Sequence, residues 1–168
     1  ILGISFGFYL IFLLVSYYMA DLNYSKAEKA SQIGDYQAAV SYLDKAIKLH
    51  NSHIYLNSYS LNLANLAVLS SYQSDKSQTQ DLIELSLQKS DMAISKSPKN
   101  ISYWKNKSKI EYLFYQINPE DRKYIDKAVE TLRKAQELSP TDPKIPYSLS
   151  IFYTILYEFP EQQNMQQS

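Results

Sequence analysis

Residues 34–39 read Gly-Asp-Tyr-Gln-Ala-Ala, a helix stop followed at once by a helix start. Gly34 can take the left-handed conformation that closes a preceding helix. Asp35 can cap the first turn of the next helix. That helix carries three residues at i, i+4 and i+7 on one face: Ala39, Leu43 and Ala46. The stretch therefore predicts two helices joined by a tight turn, the second with a face of small residues that a neighbour can approach closely.

The same spacing occurs twice more along the chain. The two later sets are Ser86, Ser90 and Ala93, then Ala128, Leu132 and Ala135. Five residues after the last member of each set come Asn51, Pro98 and Pro140. Because proline cannot continue a helix, the segments are expected to end in step. The pattern indicates a repeat of helical units.

These residues resemble the tetratricopeptide repeat (TPR) family, in which a Gly-Asp-Tyr turn precedes Ala-x-x-x-aromatic/Leu-x-x-Ala and a proline closes the repeat. The resemblance covers residues 20–157 in outline and is specific for the first and third segments. Family repeats run about 34 residues, whereas Ala46 to Ala93 is 47 residues and Ala93 to Ala135 is 42. The surplus is expected between the paired helices, at residues 71–79 and 116–124.

The resulting fold class is all-α, an α-solenoid of TPR-like helix pairs preceded by a transmembrane helix. The expected helices are 22–32, continuous with the anchor, then 36–50, 53–73, 78–97, 101–117, 120–139 and 143–158. Three starts carry caps: Asn100, Asn118-Pro119-Glu120-Asp121 and Asp142-Pro143. Three helix pairs and a final helix would stack into one domain at 21–158, followed by a polar, frayed tail at 159–168.

Residues 1–20 contain no charge and are apolar, aromatic or small throughout. About 20 such residues span a bilayer core of roughly 30 Å as a helix, so we expect a transmembrane helix here. A signal peptide is the alternative, but a basic start and a small-x-small cleavage site are missing. Because the first residue is Ile and not Met, the chain is expected to be processed or part of a longer protein. Gly3 and Gly7 would let other transmembrane helices pack closely, unless they are chance glycines on a lipid-facing helix.

Composition argues against several other functions. The chain has 17 basic and 17 acidic residues and no basic block, so nucleic acid is not an expected partner. Cysteine is absent, which excludes disulfides, thiol nucleophiles and thiolate zinc sites. His50 and His53 straddle an expected helix break, and Glu120 with Asp121 suits a first helical turn rather than acid–base chemistry. We find no catalytic signature and expect neither a cofactor nor catalysis in this chain.

In the TPR family the first helix of each pair lines a concave groove. Starting each repeat three residues after its Asn or Pro marker gives these groove positions: Tyr24, Glu28, Tyr55, Asn62, Lys105, Lys109, Lys144 and Tyr147. The three lysines predict a weakly cationic end that accepts an acidic peptide or a carboxylate, with an ordinary solvated face as the alternative. Four aromatic residues are expected to pack between helices rather than to stack on a ligand: Tyr103, Trp104, Tyr112 and Tyr115.

A second resemblance concerns the layout. An apolar span ending in Tyr-Tyr-x-Ala-Asp and running into such repeats looks like the C-terminal end of bacterial O-antigen ligase-like and polymerase-like membrane proteins. It covers the junction and general layout only. Three interpretations stand: a membrane-tethered scaffold for a protein or peptide, the accessory tail of a glycan ligase or polymerase, and a free solenoid whose apolar start is removed. The resemblance implies the bacterial cytoplasmic (inner) membrane, with the repeat domain extracytoplasmic.

Overall fold

The computed structural model describes the backbone of residues 2–73 and 75–166 and the side chains of residues 7, 9–73 and 75–158. Within that part of the chain there are seven helices and no strand. They are α1 (Leu2–Gln32), α2 (Tyr36–Leu49), α3 (His53–Tyr72), α4 (Lys76–Lys96), α5 (Ile101–Ile117), α6 (Lys123–Leu138) and α7 (Lys144–Gln166). The all-α class and the order of three helix pairs plus a final helix are confirmed.

The turn at residues 33–35 has the chemistry that its sequence predicts. Gly34 has a φ of +80°, the left-handed conformation, and its N–H donates to the Ser31 carbonyl at 3.0 Å. The Asp35 carboxylate accepts from the Ala38 N–H at 3.0 Å and so caps α2. These local hydrogen bonds close one helix and open the next within three residues.

The three small-residue faces are the contact surfaces of α2, α4 and α6. Every one of their nine residues is at most 2% exposed: Ala39, Leu43, Ala46, Ser86, Ser90, Ala93, Ala128, Leu132 and Ala135. Serine is tolerated there because its hydroxyl finds a partner, as when Ser86 Oγ donates to the Ser60 carbonyl of α3 at 2.8 Å. The prediction of close helix packing at these faces is confirmed.

The helices stack in series. Each of α1, α3 and α5 packs most extensively on the helix that follows it, and α3 also contacts α2 and α5. Four small hydrophobic clusters follow one another along the stack instead of a single central core. Such nearest-neighbour packing is what a solenoid requires.

The surplus residues of the second unit are not where the sequence suggested. The helix α3 ends at Tyr72 and α4 begins at Lys76, and the two are 20 and 21 residues long against 14 for α2. Asp75 caps α4 by accepting from the Gln78 N–H at 3.0 Å, so α4 begins at Lys76 rather than at 78. The expectation that the surplus lies between the paired helices at 71–79 is therefore wrong, because it lies in the helices themselves, whose bounds are close to the expected 53–73 and 78–97.

The start of α6 also differs from the prediction. Asn118 is the C-cap of α5 rather than the N-cap of α6. Asp121 accepts from the Lys123 N–H at 2.9 Å, and α6 begins at Lys123, three residues later than expected. Glu120 and Asp121 consequently precede the first helical turn. The N-cap position is Arg122, which makes no side-chain capping hydrogen bond, so neither Asn118 nor Asp121 is the N-cap of α6.

The helix α7 is longer than predicted, because its backbone stays helical to Gln166 rather than ending at 158. At the other end, the part of the chain whose side chains are described contains no helix long and apolar enough to cross a bilayer. The predicted span at 1–20 begins with residues outside that part, Gly3 among them. A Cβ built at Gly7 would meet no atom within 4 Å, so close packing at these glycines stays a prediction.

Candidate functional site

Polar side chains join α1 to α3 and α3 to α5, and a further one joins α5 to the turn that precedes α7. The contacts are Tyr55 Oη to Asp21, Ser58 Oγ to Glu28 at 2.6 Å, Asn106 Nδ2 to Asn57 Oδ1 at 3.2 Å, and Lys105 Nζ to Asp142 Oδ2 at 2.8 Å. We call the exposed side of these four helices the groove surface. It is the surface on which the sequence placed its candidate residues.

The N-terminal end of the groove surface is aromatic and acidic. The Tyr24 and Tyr55 ring centroids lie 5.1 Å apart, and Tyr55 donates its hydroxyl hydrogen bond to Asp21. Burial, followed by the Asp21 hydrogen bond, raises the pKa of Tyr55, so its phenol remains a donor. Glu28 accepts from Ser58. Three predicted residues, Tyr24, Glu28 and Tyr55, therefore lie together, but Tyr55 is only 5% exposed and its ring packs in a hydrophobic cluster below the surface. The carboxylates of Asp21 and Glu28 give this end its charge.

Asn62 does not belong to the groove surface. It is 2% exposed, and its Nδ2 donates to the Ser58 carbonyl of its own helix at 2.9 Å. The reason is the position of α3, which is enclosed by α2, α4 and α5 and has nine buried residues. A helix covered on so many sides has few positions left for a ligand. The sequence-based assignment of Asn62 as a groove residue is wrong.

The C-terminal end of the groove surface contains a cavity of about 430 Å³ between α5 and α7. Three of the predicted residues line it together: Lys105, Lys109 and Lys144. Its floor is apolar and aromatic, with Ile151 beside the stacked rings of Tyr112 and Phe152, whose centroids are 5.2 Å apart. We call it the lysine cavity. Tyr147 is 69% exposed on the same helix, α7, and does not line it.

The lysine cavity has a cationic rim. Lys105 is paired with Asp142, and that hydrogen bond holds the pKa of the Asp142 carboxyl below its usual value. Among the described residues that line the cavity there is no acidic side chain. Lys109 and Lys144 thus contribute positive charge beyond the one internal pair. A cavity of this size, with an apolar floor and a few charged groups, can hold an apolar side chain next to a carboxylate.

The two histidines have separate packing roles. His50 lies against the Tyr17 ring with centroids 4.3 Å apart, whereas His53 Nδ1 is 2.6 Å from Tyr103 Oη. No cluster of three His, Cys, Asp or Glu residues placed to hold a metal ion occurs within the described residues.

The four aromatic residues around Trp104 do not form a single platform. Tyr103 is buried beside α3 and α4, while Trp104 Nε1 donates to the Pro98 carbonyl at 2.8 Å. Tyr112 and Tyr115 stack on each other near α7, with centroids 6.4 Å apart. Each ring therefore serves a packing contact, as the helical spacing indicates.

Several residues of the groove surface escaped the sequence analysis. Asp21 and Ser58 lie three residues from Tyr24 and Tyr55, one helical turn away, and this spacing could have identified them. Ile151 and Phe152 of the cavity floor could not be identified in this way. Their contact with α5 depends on where α7 crosses that helix.

Comparison with known proteins agrees with this geometry. Residues 20–53 match the family model of the tetratricopeptide repeat. This match covers the second half of α1, the Gly34 turn and α2. No curated protein sequence matches the chain. Nothing in these comparisons bears on the O-antigen ligase-like layout, which stays a prediction.

Three solved structures are similar in fold. The Arabidopsis OM64 TPR domain has a TM-score of 0.63 at 14% identity, covering 83% of this chain and 98% of that one. The first TPR domain of human RPAP3 has a TM-score of 0.64 at 11% identity, covering 85% and 96%. The first TPR of Spaghetti (RPAP3), solved with the HSP90 peptide SRMEEVD, has a TM-score of 0.63 at 10% identity, covering 84% and 95%. The chain is therefore an all-helical TPR-like solenoid with a tetratricopeptide repeat at residues 20–53.

Proposed function

We propose that this chain is an interaction scaffold that binds an acidic peptide segment of a partner protein at the lysine cavity. The observation that carries the proposal is the rim of Lys105, Lys109 and Lys144 around an apolar floor. One structure of similar fold is itself a peptide complex, that of Spaghetti with SRMEEVD. The mode of action is binding without chemistry.

The charge distribution determines at which end of the groove surface an acidic segment binds. Asp21 and Glu28 make the N-terminal end of the groove surface repel an acidic segment, while Lys109 and Lys144 attract one at the other end. Repulsion at one end and attraction at the other together set specificity. An acidic residue should lie at the rim, with a neighbouring apolar side chain on the Tyr112–Phe152 floor.

The test is a fluorescence-anisotropy titration of the full chain with a labelled peptide of alternating Glu and Leu. A double variant, Lys109→Glu with Lys144→Glu, should weaken binding on the order of tenfold, because exposed charge pairs contribute up to about 1 kcal/mol each. The matched control is Lys45→Glu with Lys76→Glu, which makes the same change of charge outside the lysine cavity. Equal weakening by both pairs would show general charge attraction, and no weakening by either would reject the site.

We also propose that α1 tethers the domain to a membrane, in the bacterial cytoplasmic membrane with the repeats extracytoplasmic. The support is that consecutive apolar residues of α1 are exposed around the helix, including Leu10 at 45%, Ile11 at 60%, Phe12 at 68% and Leu14 at 71%. A helix that is apolar all round needs a core or a bilayer to cover it. The ligase-tail interpretation is compatible with this tether and adds no residue to the groove surface.

The tether is tested by alkaline carbonate extraction of membranes from cells that express the full chain. Wild-type chain should stay in the membrane pellet, and a Phe12→Lys, Leu14→Lys double variant should be released. Two charges at the centre of a membrane helix cost about 2.5–3.5 kcal/mol each. Release of the wild-type chain would refute the tether but leave the lysine cavity unaffected.

A further inference from the structure

One edge of the solenoid lies beside the projecting part of α1. Ser16 Oγ donates to the Leu49 carbonyl at 3.2 Å, and the Tyr17 ring packs on His50. The turn between α2 and α3 is therefore level with residues 16–17 of α1. The turn between α4 and α5 belongs to the same edge, because Lys96 Nζ donates to the Asn51 carbonyl at 3.1 Å. We call residues 48–54 and 96–100 the inter-pair edge.

The inter-pair edge combines exposed apolar and basic side chains. Leu49 and Ile54 are 43% and 47% exposed. Lys48, Lys96 and Lys99 are exposed beside them, and Lys48 also pairs with Asp44 of its own helix. Tyr17, whose ring packs on His50 of this turn, and its neighbour Tyr18 on α1 are 49% and 63% exposed. Apolar residues with tyrosine and lysine at one level are the composition of membrane-interface surfaces.

The geometry of α1 brings this edge to a bilayer. Ser16 lies within the predicted span, four residues before its end at Ala20, so the edge is level with a point about 6 Å inside the end of the span, the depth of the boundary between headgroups and acyl chains. Since α1 is one continuous helix from Leu2 to Gln32, the tether and the first repeat move as a unit. The turns at the other ends of the helices lie about 30 Å away, the length of the 20-residue α3.

We propose that the inter-pair edge docks on a bilayer surface that carries anionic lipid headgroups. The proposal rests on the proposed tether and adds a second, surface contact to it. Leu49 and Ile54 would enter the headgroup boundary while Lys96 and Lys99 meet lipid phosphates. Two contacts, one spanning and one lying on the surface, would fix the orientation of the groove relative to the membrane.

Energy transfer to a headgroup dye tests the docking directly. Because the chain has no cysteine, a single donor dye can be attached to the full chain at one introduced cysteine. Asn51→Cys and Lys99→Cys place the dye on the inter-pair edge, and Gln73→Cys and Glu120→Cys place it on the opposite edge. The vesicles contain phosphatidylcholine, phosphatidylglycerol and a lipid with a rhodamine headgroup. Transfer should be strong at 51 and 99 and weak at 73 and 120.

A charge-reversal arm tests the lipid chemistry. In the Asn51→Cys background, Lys96→Glu with Lys99→Glu should reduce transfer, and so should vesicles without phosphatidylglycerol. The control pair Lys76→Glu with Lys123→Glu should leave transfer unchanged. If neither change reduces transfer, recognition of anionic lipid is refuted.

The two proposals fail in different ways. A chain that resists carbonate extraction but transfers energy equally from all four positions retains the tether and refutes the docking. A chain that carbonate releases refutes the tether and the docking together.

Discussion

Glu111 is a carboxyl group held inside the protein. It is 2% exposed and lines a cavity of about 180 Å³ beside α6, and its Oε2 has no hydrogen-bond partner among the described residues. Burial raises its pKa from 4.5 to about 7. The Thr131 hydrogen bond and the charges of Lys107 and Lys127 oppose this shift, while Asp91 adds to it. The folded state therefore favours the protonated acid.

The sign of the resulting pH dependence follows from these two values. Below pH 4.5 the acid is protonated whether the chain is folded or not, so Glu111 costs no stability. Between pH 4.5 and 7 the unfolded chain ionises first and stability falls. The full difference corresponds to about 3 kcal/mol, of which about 2.5 kcal/mol is lost between pH 5 and pH 8.

The quantity to measure is the free energy of urea unfolding of the full chain at pH 5 and at pH 8, with the same detergent present at both pH values. Trp104 is the single tryptophan and lines the same cavity, so its fluorescence reports on this region. Glu111→Gln keeps the volume and removes the charge. It should be more stable than the wild type by about 3 kcal/mol at pH 8 and by only about 1 kcal/mol at pH 5. Parallel pH profiles of the two proteins would refute the reasoning.

Further substitutions test the packing and the turns, each by the change in free energy of urea unfolding at pH 7. Gly34→Ala should cost about 1 kcal/mol, because φ is +80°, and Asp35→Ala about 1 kcal/mol through loss of the cap. Leu43→Ala, at a fully buried site, should cost about 2–5 kcal/mol. Ser108→Ala should cost about 1 kcal/mol, since Ser108 Oγ donates to the Ala128 carbonyl at 2.8 Å. Changes below about 0.3 kcal/mol would contradict each assignment.

The features that could be predicted from sequence are local ones. Gly34 and Asp35 act through hydrogen bonds within a few residues, so their roles follow from neighbouring sequence alone. The small faces follow from the helical period, because Ala, Ser and Leu at i, i+4 and i+7 share one side of a helix whatever its partner is. Lys105 and Lys109 fall on the same side of α5 for the same reason.

The features that could not be predicted depend on the surroundings of a helix. Asn62 occupies a plausible groove register, but α3 is enclosed by three other helices and that position is buried. The start of α6 could not be read from a cap, because its N-cap is Arg122, which makes no side-chain capping hydrogen bond, and the expected cap Asn118 ends α5 instead. The floor of the lysine cavity depends on where α7 crosses α5, which periodicity does not specify.

A serine hydroxyl joins the two helices in each of the three pairs. Ser16 of α1 donates to the Leu49 carbonyl of α2, Ser86 of α4 to the Ser60 carbonyl of α3, and Ser108 of α5 to the Ala128 carbonyl of α6. Sliding one helix along its partner by a single residue, about 1.5 Å, would break such a bond, and at the buried Ser86 and Ser108 it would leave a polar group in an apolar contact. A hydrogen bond thus fixes the axial register of the two helices within each pair, in addition to the side-chain hydrogen bonds that join α1 to α3 and α3 to α5 between pairs.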